Sequence, residues 1–149
     1  MRIAVNTGGG DAPGLNAVIR AVVLAAHHRG WQAYGIQRGY DGLLAFQGVV
    51  HLDPDDVRGI TSQGGTILGT TNRGNPFRSV ATLADGTRQE VDRSDQLIAA
   101  FRASGFEALV AIGGDGSLQI AAGLATKGLP VVCVPKTCLL YTSDAADEL

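Results

Sequence analysis

The stretch Glu107-Ala108-Leu109-Val110-Ala111-Ile112, running into Gly113-Gly114-Asp115-Gly116-Ser117, constrains this chain more than any other. An apolar run without polar alternation has no solvent face, which suits a strand of a parallel sheet covered on both sides. Leu118 to Lys127 reads as a helix. The glycines therefore stand between the carboxyl end of a strand and the amino end of a helix, the edge where open α/β sheets bind ligands. Glycine lets backbone N–H groups approach phosphate oxygens, and a helix amino terminus adds partial positive charge. A carboxylate in that position repels phosphate unless a cation lies between them. Asp115 thus suits a Mg²⁺ ligand, direct or through water. The competing reading is an ordinary strand-to-helix turn with Asp115 as its cap.

Glycine is the compositional outlier. The chain has 21 in 149 residues, well above an average usage of about 7%. They cluster at Gly8–Gly14, Gly39–Gly42, Gly64–Gly74 and Gly113–Gly116, without a fixed period, as in loops shaped around a ligand. The 45% hydrophobic and 17% charged residues describe a soluble globular protein of one domain. A net charge of −2 gives no general attraction to nucleic acid or to an anionic membrane surface. No apolar run approaches the roughly 20 residues of a membrane span. The amino terminus enters a strand at once, leaving no room for a cleavable signal, so a cytoplasmic setting is expected. Cys133 and Cys138 suggest no disulfide framework or metal cluster, and His27, His28 and His51 have no partner at ligand spacing.

The amino-terminal third reads as one βαβ unit. Arg2 to Asn6 is a strand, Thr7 to Gly14 a glycine turn, Leu15 to Arg29 a helix, and Gln32 to Ile36 a second strand. Pro13 suits the first turn of that helix and Gly30 its end. The expected fold class is α/β: a Rossmann-like, parallel-sheet, three-layer domain, incomplete in this chain. Two chemistries compete for the first turn. Its glycines approximate a dinucleotide fingerprint, with Arg38 after the second strand available for a 2′-phosphate, so an NADP-binding Rossmann oxidoreductase is one alternative. That scheme has no use for the second turn at Gly113. Two phosphate-compatible turns at two strand ends fit phosphoryl transfer better, because a triphosphate needs several donors and a metal. A non-catalytic nucleotide-binding module is a further alternative.

Tyr40 either lines the site or packs in a turn. Val49 to Leu52 reads as a short strand, and Asp53-Pro54-Asp55-Asp56-Val57 as a helix start. Ser62 to Phe77 combines hydroxyls, glycines and Arg73, a set able to hold phosphate oxygens. Asp85-Gly86 marks a hairpin, and Ser94-Asp95-Gln96 caps a helix running through Leu97, Ile98 and Phe101 to Gly105. Pro130 to Val134 reads as another buried strand, from which Pro135-Lys136-Thr137 emerges at the same edge as Gly114.

Together, Thr7-Gly8-Gly9-Gly10-Asp11-Ala12-Pro13-Gly14-Leu15-Asn16-Ala17, Gly64-Gly65-Thr66-Ile67-Leu68-Gly69, Gly113-Gly114-Asp115-Gly116-Ser117 and Pro135-Lys136-Thr137 closely resemble the amino-terminal part of the 6-phosphofructokinases. The resemblance runs from residue 1 to Thr137. It implies transfer of the ATP γ-phosphoryl group to the 1-hydroxyl of fructose 6-phosphate with Mg²⁺, in a cytoplasmic homotetramer of glycolysis. It implies that Gly10 contacts the nucleotide phosphates, that Arg73 bridges the transferring phosphoryl group, and that Gly114, Asp115, Gly116 and Ser117 bind ATP with Asp115 on the metal. Thr137 is expected to touch the sugar phosphate, and Arg73, Lys136 and Thr137 form the expected catalytic set. Arg20 matches an effector-binding position, while Leu24 stands where allosteric bacterial members carry a second arginine.

Donor signals are mixed. In this family a glycine at Gly116 goes with ATP, whereas a lysine at Lys136 is typical of pyrophosphate users; their combination is similar to a branch holding both kinds. ATP is the expected donor, because excluding a nucleotide by steric and charge conflict is harder to evade than one added attraction. Pyrophosphate is the alternative. After Thr137 the family continues Ile-Asp-Asn-Asp, with the general base at the first aspartate. This chain instead reads Cys138 to Leu149, with Asp144 seven residues past Thr137 where the resemblance implies a base two residues past it. Residues 1–137 are expected to be a partial phosphofructokinase domain. Residues 138–149 read as a non-family tail from read-through, and the 149-residue chain is expected to be inactive alone.

Overall fold

The computed structural model describes residues 1–45, 47–71 and 74–136. Its elements are β1 (Arg2–Thr7), α1 (Leu15–His28), β2 (Gln32–Ile36), α2 (Asp41–Leu44), β3 (Val49–Leu52), β4 (Ser79–Thr82), β5 (Arg88–Val91), α3 (Ser94–Ala103), β6 (Ala108–Gly113), α4 (Asp115–Thr126) and β7 (Val131–Pro135). Five strands form one sheet in the order β3-β2-β1-β6-β7, and β4 pairs with β5 in a separate hairpin. β2, β1, β6 and β7 are parallel, with Val5 opposite Gly35 on one side and Val110 on the other.

Strand alternation divides the core between two faces. Ile3 and Val5 of β1 pack with Leu15, Ile19 and Val23 of α1, where the 3.6-residue period stacks a stripe onto the sheet. Ala4, Leu109 and Ala111 face the other way, against Leu97 and Phe101 of α3 and Ala121 and Leu124 of α4. Fully burying each larger side chain stabilises by roughly 1.5–3 kcal/mol relative to exposure. The three expected layers are therefore present.

Four local expectations are corrected. The sheet is mixed, because β3 runs antiparallel to β2 with Ala33 opposite Leu52 and Ile36 opposite Val49. Its connection holds only the single turn of α2, too short to cross a sheet face, and it closes tightly: Gln37 N donates to Gly48 O at 2.7 Å and Gly42 N to Gln37 O at 3.0 Å. A Cβ at Gly42 would stand 2.5 Å from both of those carbonyl oxygens. Second, Asp53 to Val57 starts no helix. Its carboxylates bond locally, with Asp53 N donating to Asp56 Oδ2 at 2.8 Å, and Gly59, at φ +75°, ends the turns. Third, Pro13 lies outside α1, whose N-cap is Gly14 at φ +92°. Fourth, β7 is half-exposed rather than buried, with Val132 59% accessible and Cys133 exposed. The Asp85-Gly86 hairpin forms as read, with Val80 opposite Glu90.

Candidate active site

α1 covers one face of the sheet and α4 the other, while β1 leads outward to β2 and β6 outward to β7. The strand order thus reverses between β1 and β6, and a crevice opens at their carboxyl ends. A cleft of about 650 Å³ occupies that place. Its lining includes Gly8, Gly9, Gly10 and Asp11 after β1, Gly114 to Ser117 at the start of α4, and Lys136 after β7.

These turns interlock. Gly8 N donates to Ile112 O at 2.9 Å, and Lys136 N donates to Gly113 O at 3.1 Å, so the loops after β1, β6 and β7 are tied edge to edge. The Ser117 side chain lies across both neighbours: a Cβ at Gly8 would stand 2.5 Å from Ser117 Oγ, and one at Gly113 would overlap the Ser117 side chain. Gly9 takes φ +76°, which only glycine adopts readily, and its vacant Cβ position lies 3.4 Å from Lys136 Nζ and 3.6 Å from Ser117 Oγ. An ammonium and a hydroxyl therefore converge over a bare backbone. Burial pushes the Lys136 ammonium below the usual lysine range, against the attraction of Asp11.

The helix begins earlier than its apolar periodicity suggests, at Asp115 instead of Leu118, so Asp115, Gly116 and Ser117 form its first turn. Gly114 is the N-cap and makes no side-chain capping bond, which removes the reading of Asp115 as the cap. Asp115 is exposed to the cleft. Its position beside the free N–H groups of α4 suits a site for an anion carried with a cation. Among the described residues no group of three or more His, Cys, Asp or Glu side chains could hold a metal ion by itself.

Gly10, Gly114, Asp115, Gly116, Ser117 and Lys136 are thus brought to one cleft. No heavy atom lies within 4 Å of a Cβ added at Gly10 or Gly116, so both face open space. Arg73 and Thr137 lie outside the described residues, although their neighbours Thr71, Gly74 and Lys136 line the cleft. The lining takes in Thr71 and Gly74 but not the earlier part of the third glycine region, residues 62–69. That part is held structurally: Thr7 Oγ1 donates to Gly69 O at 3.0 Å, and buried Asn16 donates to Gln63 O at 3.2 Å and accepts from Ile67 N at 2.8 Å. Arg20 is half-buried on α1 and is not part of the lining.

Both readings of Tyr40 hold, since it is 5% exposed and also borders the cleft. Burial pushes its phenol up to about 12, a hydrogen bond with Asn6 offsets part of the rise, and Cys133 adds to it. The hydroxyl is accordingly neutral at physiological pH. Asp11, Asn75, Phe77, Gln119 and Ile120 also line the cleft. Asp11 belongs to the first glycine turn and Asn75 and Phe77 to the end of the third glycine region, but none stands out in the sequence as a site residue, and Gln119 and Ile120 follow Ser117 within one turn of α4.

The phosphofructokinase family profile matches residues 2–139. The chain belongs to the phosphofructokinase family. It is 46% identical over 141 residues to the ATP-dependent 6-phosphofructokinase of Chloroflexus aggregans, an alignment covering 91% of this chain and 37% of that one. ATP-dependent 6-phosphofructokinase 1 of Synechocystis is 45% identical over 142 residues, with the same shares covered. Among solved structures, Pichia pastoris phosphofructokinase in the T-state matches with a TM-score of 0.76 at 33% identity, over 91% of this chain and 15% of that one. The chain spans about 37% of the length of the curated relatives it matches. Membership in the phosphofructokinase family does not favour an NADP-binding oxidoreductase or a non-catalytic module. The antiparallel β3 also breaks the βαβαβ half that a dinucleotide fold requires. Among the described residues no helix is long and apolar enough to cross a membrane.

Proposed function

We propose that this chain forms the donor-binding part of an ATP-dependent 6-phosphofructokinase, which transfers the γ-phosphoryl group of ATP to the 1-hydroxyl of fructose 6-phosphate in glycolysis. The observation that carries this reading is the convergence of Gly9, Ser117, Asp115 and Lys136 on one crevice at the reversal of strand order. Residues 1–137 act as a partial nucleotide-binding domain, the full-length protein works as a cytoplasmic homotetramer, and residues 138–149, of which the family profile reaches only the first two, form a tail outside that domain.

Backbone N–H groups of the turn around Gly10 and of Gly114 to Ser117 hold the donor phosphates, and Ser117 Oγ supplies a further donor. The Lys136 ammonium, already partly desolvated, meets the negative charge at the Gly9 end of the cleft. Arg73 bridges the transferring phosphoryl group and Thr137 touches the sugar phosphate. The donor set fits Mg²⁺: exposed carboxylates at Asp115 and Asp11, with no all-protein cage among the described residues, match an ion held mainly by phosphates and water. Asp115 would hold it, and the bound ion would neutralise charge on the phosphate oxygens.

ATP is favoured as donor over pyrophosphate because Gly116 leaves open space where a side chain would stand, and because the relatives at about 45% identity are named ATP-dependent. Titration of the chain with ATP, with and without Mg²⁺, tests the reading. Binding should require Mg²⁺ and should weaken at least tenfold, about 1.4 kcal/mol, in Asp115→Ala. Binding of NADPH without a metal would contradict it.

A further inference from the structure

Glycine is the poorest helix former after proline, yet α4 carries Gly123 within its last turns. A packing reason is visible there. A Cβ at Gly123 would stand 2.8 Å from Phe77 Cζ and 3.0 Å from Phe77 Cε2, closer than real Cβ contacts come. The Phe77 ring lies directly on the bare backbone of the helix. The same ring borders the cleft, together with Asn75 and Gly74 from its own segment.

The ring also packs against the buried cluster that includes Leu97 of α3 and Ala121 and Leu124 of α4, and Pro76 beside it is buried. Asn75 Oδ1 accepts from Phe77 N at 3.0 Å, and Arg93 N donates to Pro76 O at 2.7 Å. Lys127 Nζ lies 5.7 Å from the ring centroid, and it is itself fixed by Ser94 Oγ at 2.6 Å and Asp95 Oδ1 at 2.9 Å. Those contacts bind the segment to its own turn, to the start of α3 and, through Lys127 at the C-cap of α4, to the far end of that helix. The ring against Gly123 is where the segment meets the bare backbone of α4, the helix whose first turn carries Asp115 and Ser117.

We propose that Gly123 is a positioning residue of the donor site: its missing side chain is the seat on which Phe77 rests, and through Phe77 it sets the spacing between α4 and the cleft wall formed by residues 74–77. This rests on the donor-binding reading given above. A methyl group at position 123 drives the ring away from the helix and moves the wall against the first turn of α4. On helix propensity alone the same methyl would stabilise the chain. The two effects have opposite signs, which makes the seat testable.

The test is a double-mutant cycle on the 149-residue chain, reading the MgATP dissociation constant and the melting temperature of wild type, Gly123→Ala, Phe77→Leu and the double variant. The proposal expects Gly123→Ala to raise the dissociation constant about tenfold and to lower the melting temperature. Phe77→Leu removes the ring atoms that meet the methyl. In that background, Gly123→Ala should leave MgATP affinity unchanged and raise the melting temperature. Wild-type binding that Gly123→Ala leaves intact, or a loss of equal size in both backgrounds, overturns the seat alone. Absence of MgATP binding by the wild-type chain overturns the donor-site reading, and the positioning role with it.

Discussion

Ser117 Oγ lies 2.5 Å from the point where a Cβ on Gly8 would stand, so the first turn of α4 is seated on the backbone of the turn after β1. This contact closes the crevice between β1 and β6 and sets how near the two phosphate-compatible turns come. Gly8→Ala should cost about 1–3 kcal/mol through overpacking and weaken MgATP binding with it. Gly10→Ala, with no neighbour within 4 Å of the added atom, should leave the melting temperature nearly unchanged while still weakening donor binding. Paired thermal melts and titrations separate the two; equal destabilisation by both would show that the Ser117 contact is not the cause.

Asn16 holds the loop at residues 63–69 to the start of α1, donating to Gln63 O and accepting from Ile67 N while itself 2% exposed. Asn16→Ala leaves those backbone groups unsatisfied. It should cost about 2 kcal/mol and lower the melting temperature by roughly 4–8 °C. Urea unfolding should show the lower midpoint at an unchanged slope.

β1 and β6 were legible because buried parallel strands are written as apolar runs and these two lead into Gly8 and Gly113, while β2 was legible as the short stretch that follows the helix end at Gly30. The hairpin was legible from Asp85-Gly86. The direction of β3 was not, since Val49 to Leu52 reads the same whichever way it pairs, and the outcome is decided by the Gly42–Gly48 closure. Asp53 to Val57 carries the residues of a helix start, and those same carboxylates bond locally and hold it as turns. α4 begins three residues before its apolar period because Asp115 to Ser117 face the cleft rather than the core. Of the site, the turns at Gly10 and Gly114–Ser117 were visible as motifs. Gly123 and Phe77 were not, being 46 positions apart and meeting only through the fold.

Burial lowers the Lys136 pKa from its ordinary value of 10.5. Between the lowered value and 10.5 the unfolded chain binds more protons than the folded one, so this group's contribution to stability rises with pH through that window. A bound anionic donor makes the opposite demand, since it favours the ammonium. MgATP affinity should therefore fall as pH climbs through the Lys136 titration. Lys136→Met should bind about tenfold more weakly at neutral pH and lose this alkaline decline; titrations from pH 7 to 10 on both proteins provide the check.

Tyr40 has its phenol pushed from 10.0 up to about 12 by burial. Its folded pKa exceeds the unfolded one, so the stability it contributes is complete below pH 10 and is lost as the pH rises toward 12. Ultraviolet difference titration of the tyrosines should show one ionising only near pH 12, and Tyr40→Phe should remove that phase. Ionisation of every tyrosine near pH 10 would contradict the buried placement.

The most direct measurement is a crystal structure of the chain with a non-hydrolysable ATP analogue and Mg²⁺. The account predicts the phosphates lodged between Gly9 and the first turn of α4, within reach of Ser117 Oγ and Lys136 Nζ, and the metal on the Asp115 carboxylate. A nucleotide bound away from the β1–β6 crevice, or held there with Asp115 remote from both metal and phosphate, would contradict it.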